Sequence, residues 1–233
     1  MKRKSPEPAR IPKAARAARA RTQPWHPSAW QAQSLLLAYP DDTFGDHLAL
    51  ARRVADTLPA PAVARPLLRF AVHAEQTAPA DLTAAYVATF DHRKRCCPYL
   101  TYYAYGDTRK RGMGLLKLKQ TYAAAGWRLA DDELPDHLAV VLEFAAADPA
   151  EGARLLTEHR AGLELLRLAL TDDDSPWAHV LDPLSATLPA LAGDDREAVM
   201  RLAAQGPPEE QVGLDPYASS PVFLPDPVVG GPR

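Results

Sequence analysis

The run Asp136-His137-Leu138-Ala139-Val140-Val141-Leu142-Glu143-Phe144-Ala145-Ala146-Ala147-Asp148 decides the fold. Leu138, Val141, Leu142 and Ala145 recur at helical spacing and form one stripe, while Val140 and Phe144 cover a second side. Between His137 and Asp148 the only charge is Glu143. A helix apolar almost all round belongs in the middle of a protein, so the spacing predicts a central helix over 136–147. Other elements must enclose it.

Those elements read as helices too. No stretch sustains a period of two; instead, apolar-periodic segments are separated by Pro, Gly and Asp. The expected helices are 28–38, 46–58, 62–76, 81–90, 98–105, 108–125, 136–147, 149–171, 176–188 and 194–205. Asp148 and Asp194 stand three residues before Glu151 and Glu197, close to a capping box. Ser175 precedes Pro176, a capping hydroxyl before a first-turn proline. Gly106 and Gly126 fall where helix ends favour positive φ. No internal repeat appears at solenoid periods. The expectation is an all-α, single compact bundle of about ten helices over 25–205.

Two tails flank it. Residues 1–24 carry Lys2, Arg3, Lys4, Arg10, Lys13, Arg16, Arg19 and Arg21 against one acid, Glu7. With few large apolar side chains this segment cannot offset its ordering entropy, so it reads as a disordered basic tail or as an arm for an acidic partner. Residues 206–233 hold seven of the 23 prolines and read as an extended tail. Tyr217, Val222, Phe223 and Leu224 could dock that tail along the surface or groove of its own domain.

A net charge of −2 over 233 residues gives no global pull toward nucleic acid or anionic membrane. The two cysteines, Cys96 and Cys97, are adjacent; they suit a reducing cytosol and cannot make a four-ligand zinc site. No segment reaches the roughly 20 apolar residues of a membrane span, and no secretory signal is evident. A cytoplasmic protein with no metal site is expected.

Chemistry concentrates between Thr89 and Gly112. Four of the eight tyrosines lie there, at 99, 102, 103 and 105, bracketed by Arg93-Lys94-Arg95 and Arg109-Lys110-Arg111. Tyr99, Tyr102 and Tyr103 would share one helix face. They are either core with hydroxyls at its edge or the lining of a peptide groove, for which tyrosine suits well. Asp107 is expected to cap helix 108–125, with three cations in its first turn. They make an anion site, or else point into water or at the preceding helix end. Arg111 shares a face with Leu115, Leu118 and Tyr122, so its stem can lie on the core with the guanidinium at a rim. Arg93-Lys94-Arg95 reads as a solvated loop. Glu133, Asp136 and His137 open the central helix; they are helix-start chemistry, or carboxylates for a basic group on a partner. No nucleophile, phosphate loop or metal-ligand spacing accompanies them, so no catalytic residue is named.

These motifs carry a resemblance. Tyr86-Val87-Ala88-Thr89-Phe90-Asp91, Arg93-Lys94-Arg95-Cys96-Cys97, Tyr99-Leu100-Thr101-Tyr102-Tyr103 and Gly106-Asp107-Thr108-Arg109-Lys110-Arg111-Gly112 closely resemble the respiratory nitrate reductase delta-subunit family, the NarJ-type molybdenum-cofactor assembly chaperones. Glu133-Leu134-Pro135-Asp136-His137-Leu138, Val141-Leu142-Glu143-Phe144 and Ser175-Pro176-Trp177 extend it over about 28–190. The resemblance implies an all-helical chaperone that is not an enzyme. It would bind the apo catalytic subunit, notably its N-terminal segment, keep it competent for insertion of bis-molybdopterin guanine dinucleotide, and delay membrane docking. It would hold no cofactor stably itself and meet the membrane only through its client. The family's Glu-x-x-Asp-His element matches Glu133, Asp136 and His137.

Tyr99, Tyr102, Tyr103, Asp107, Arg109, Arg111, Glu133, Asp136 and His137 are thus the candidate partner-binding residues. His137 beside carboxylates would make affinity pH-sensitive near neutrality. Two other classes stay open: a helical nucleic-acid-associated regulator using 1–24 and 93–111, and a nucleotide hydrolase using the Arg-rich helix start.

Overall fold

The computed structural model describes residues 22–130, 133–191 and 193–208. Most of the basic N-terminal segment lies outside them, as do Tyr217, Val222, Phe223 and Leu224. The described residues form eleven α-helices and no named strand. They are α1 (His26–Leu37), α2 (Phe44–Thr57), α3 (Pro61–Gln76), α4 (Pro79–Phe90), α5 (Leu100–Tyr105) and α6 (Arg109–Ala124). After them come α7 (Leu138–Ala147), α8 (Pro149–Glu158), α9 (Arg160–Asp172), α10 (Ala178–Thr187) and α11 (Asp194–Gln205). A 3₁₀ turn, Lys94–Cys96, joins α4 to α5.

The expected central helix is central. Leu138, Val141, Leu142, Phe144 and Ala145 of α7 are fully buried, and Glu143, its only charge, faces outward. α7 packs chiefly on α1 and α8, and α1 also meets α2 and α10. Three donors that α1 takes into the core find acceptors, while His26 Nδ1 and Gln33 Oε1 are buried without a hydrogen-bond partner among the described residues. Trp30 Nε1–H donates to Thr187 Oγ1 at 2.9 Å, Gln33 Nε2 to the Val180 carbonyl at 2.7 Å, and Ser34 Oγ to the Ala139 carbonyl at 2.7 Å. Buried donors of this kind must find acceptors, so they fix α1 against α7 and α10 in one register. Trp177, at the start of α10, contacts Phe70, Tyr86 and Phe90 at ring separations of 5.5–5.6 Å.

Local expectations hold at some ends and fail at others. Asp148 caps α8, accepting from Glu151 N–H at 3.2 Å, and Gly106 and Gly126 take φ of 58° and 74°. Thr108, not Asp107, occupies the cap position of α6, and Gly193, not Asp194, that of α11. At α10 the Ser175 carbonyl, not its hydroxyl, receives the Ala178 N–H. The single helix expected over 149–171 is two, broken at His159 (φ −97°, ψ 15°). The break re-aims α9 so that Gly162 meets Tyr103, where a Cβ would lie 2.7 Å from the Tyr103 Cβ. That close approach overrides a periodicity that runs unbroken through the turn.

Candidate functional site

The starts of α5 and α7 lie side by side. Tyr99 and His137 form an isolated antiparallel bridge, flanked by Leu100 N–H to the Asp136 carbonyl and Leu138 N–H to the Pro98 carbonyl, each 2.9 Å. This clamp brings two distant candidate clusters together, and Asp136 is its hub. Its carboxylate is wholly buried; Oδ2 accepts from the Thr101 amide at 3.3 Å, from the Thr101 hydroxyl, and from Arg111 Nη2 at 3.4 Å. Tyr99 gives α5 no side-chain cap, so Asp136 acts as that cap from across the fold.

Arg111 is held on several sides. Its Nε donates to Thr101 Oγ1 at 3.2 Å, Asp107 lies 3.6 Å from Nη1, and the guanidinium sits 5.4 Å from the Tyr99 ring centre. With 22% of its side chain exposed, Arg111 lies at a rim as its sequence face suggests. Asp136 is turned inward: its Oδ2 serves Arg111 and α5, while Oδ1 is buried without a hydrogen-bond partner among the described residues. Glu133 and Arg109 are exposed, and Asp107 points largely into solvent.

The tyrosines do not share one face. Tyr99 precedes α5 and stands half-buried against His137, with ring centres 5.3 Å apart. Tyr103 is core: it is buried, and its hydroxyl donates to the carbonyls of Cys97 at 2.9 Å and Arg95 at 3.2 Å. Tyr102 is half-buried and lines a groove.

His137 cannot serve as a switch near neutrality. Burial pushes its pKa down to about 4, against the pull of Asp136 and Asp91. Its Nδ1 also accepts the Ala139 N–H at 3.3 Å as the cap of α7, a bond only the unprotonated nitrogen can make.

Arg93-Lys94-Arg95 is not simply a solvated loop. Arg93 pairs with Asp173 at 2.6 Å, and Arg95 binds the other oxygen of the same carboxylate. Two cations needed by the nucleic-acid reading are therefore already paired at the end of α9. The Cys96 thiol donates to the same carboxylate at 3.7 Å, and burial raises both thiols, Cys97 to about 11. Asp173 and Thr101 were not singled out in the sequence; the acidic run Asp172-Asp173-Asp174 was the available signal for the first.

The Nitrate reductase delta subunit family model matches residues 55–182, more than half of the chain. A Bacillus subtilis protein, "Probable nitrate reductase molybdenum cofactor assembly chaperone NarJ", is 36% identical over 160 residues, covering 68% of this chain and 87% of that protein. The Mycobacterium tuberculosis H37Rv protein "Nitrate reductase-like protein NarX" is 38% identical over 164 residues, or 70% of this chain. The chain spans only 24% of that longer relative. Escherichia coli K12 NarJ, also named as an assembly chaperone, is 30% identical over 59% of this chain and 58% of its own. The fold is shared with a crystal structure of an Archaeoglobus fulgidus protein described as a redox enzyme maturation protein. Its TM-score is 0.50 at 21% identity, over 76% of this chain and 93% of that one.

Proposed function

The chain belongs to the nitrate reductase delta subunit family, and from that premise we propose that it is a dedicated, non-catalytic assembly chaperone acting in the cytoplasm. It binds the apo catalytic subunit of respiratory nitrate reductase, including its N-terminal segment, and holds it competent for molybdenum cofactor insertion before membrane docking. The observation that carries this reading is the 36% identity to the B. subtilis NarJ chaperone across 87% of that protein. No helix among the described residues is long and apolar enough to cross a membrane, which agrees with contact through the client alone. The cofactor is the client's cargo and is not held by the chaperone.

The docking surface proposed is the edge built by α5, α6 and the start of α7. Tyr99, Tyr102, Arg109, Arg111 and Glu133 meet the client there. Tyr103, Asp136 and His137 hold those groups in position from below, and the exposed Asp107 braces Arg111 from the solvent side at 3.6 Å. A half-buried aromatic with charged neighbours suits a segment that must be gripped and then released.

The test is co-purification of the full chain with the catalytic subunit, with and without the client's N-terminal segment. Capture of the apo subunit and loss of most of it on removing that segment is the expected result. Equal recovery of cofactor-loaded and apo subunit, or of neither, would overturn the proposal.

A further inference from the structure

Tyr102, Leu165, Leu168 and Ala169 floor a groove of about 510 Å³ between α5 and α9, with Lys94 and Arg95 at one end. Its outer wall is the C-terminal helix α11, which contributes Leu202 and Ala203, followed by Gly206 and Pro207. We propose that this groove is a docking site for an amphipathic helix of the client, and that α11, as its outer wall, covers it as an internal competitor that the client displaces. The inference rests on the assembly-chaperone reading and adds to it a means of regulation.

Four observations carry it. First, α11 is seated but not packed. None of its side chains that the structure describes is buried; Ala198, Val199 and Leu202 reach half-burial, and Met200 is 72% exposed. Little apolar area therefore holds it in place. Its helix-to-helix packing is against α9.

Second, the floor is apolar without α11. Leu168 is 41% exposed even with the helix present, and Leu165 and Tyr102 are half-buried beside it. Leu165 and Leu168 stand three apart on α9, the spacing that receives a helix with its own i, i+3 stripe. Val199 and Leu202 are such a stripe, so α11 displays the chemistry of the ligand the groove accepts.

Third, a positive-φ glycine stands at each end of α11. Gly193 (φ 43°) and Gly206 (φ 72°) flank it, and an added Cβ at either would meet nothing within 4 Å. Helix α11 also lies beyond the 55–182 span that the family model matches.

Fourth, the chain leaving α11 reaches the proposed docking edge at Pro208. A Cβ on Gly106 would lie 1.7 Å from the Pro208 carbonyl oxygen. Gly106 joins α5 to α6, between Tyr102 and Arg109. The strap and a client at that edge therefore compete for the same space.

The experiment uses the full chain and a fluorescein-labelled peptide of the catalytic subunit's N-terminal segment. Leu202→Glu, at a half-buried residue packed on the edge of the core, should unseat α11 and tighten peptide binding roughly tenfold, because the fraction of competent molecules rises. Leu168→Glu in the floor should weaken it by a similar factor, and the double variant should bind as weakly as Leu168→Glu alone. A second measurement needs no variant: amide exchange across 194–205 in the wild-type chain should accelerate when peptide is added. If wild type binds peptide, yet Leu202→Glu brings no gain and 194–205 stays equally protected, the strap is refuted while the chaperone reading stands. If no form binds either peptide or apo subunit, both are refuted.

Discussion

Helix α1 against α7 and helix α11 against α9 are both helix-on-helix contacts, yet they are built differently. The first buries Ala29, Trp30, Ala32, Leu36 and Leu37, and gives the buried donors of Trp30, Gln33 and Ser34 acceptors on α7 or α10. The second buries nothing on the α11 side that the structure describes, and leaves a groove beneath it. Core density fixes one register, because sliding would orphan Trp30, Gln33 and Ser34. A half-buried stripe fixes little. The dense contact is built for stability, and under the proposal above the looser one can change occupant without loosening the centre.

The largest effect that could break this contrast is at the centre. Trp177→Ala removes the ring that Phe70, Tyr86 and Phe90 pack around and should cost about 3–5 kcal/mol, measured from urea unfolding. Peptide affinity of the fraction still folded should stay within a factor of two or so. A large affinity loss there would mean that core and edge are not separable.

Next in size is an acid effect at the clamp between the two regions. The folded pKa of His137 is about 4, and its unfolded value is near 6.5. Between those values the unfolded chain binds a proton that the folded chain refuses. Stability is therefore fully present above about pH 6.5 and falls as pH drops toward 4, by roughly 3 kcal/mol at most. His137→Asn keeps a cap acceptor and cannot titrate, so its stability–pH curve should be flatter in this window. Burial lowers His26 and His159 in the same sense, so some slope should remain. Client affinity near neutral pH should not depend on this residue's charge.

The smallest effect is at the docking end. Arg95 pairs with Asp173 but is 57% exposed, so Arg95→Ala should cost under about 1 kcal/mol, and less in high salt. A larger, salt-independent cost would show that this side is as tightly built as the centre.

Legibility in the sequence followed how local each cause was. Helix α7 could be read because its burial is written in its own residues: an apolar run with one outward acid. Asp148 and Gly106 could be read because cap and turn chemistry act over a few residues. The break at His159 could not, since its cause is the approach of Gly162 to Tyr103, far away in the chain. The same limit governs the site. Arg111 at a rim was readable from its helix face. That Asp136 would be wholly buried, capping α5 and holding Arg111, was not, and neither was the pairing of Arg93 and Arg95 with Asp173.

By itself the sequence determined an all-helical chain with its most apolar helix in the middle, and motifs specific enough to mark its family. Only the tertiary structure decided which charges are paired inside the protein and which stay exposed. A side chain's spacing states which neighbours it has along its own helix, but the cost of leaving a charge unpaired depends on what comes to lie across from it.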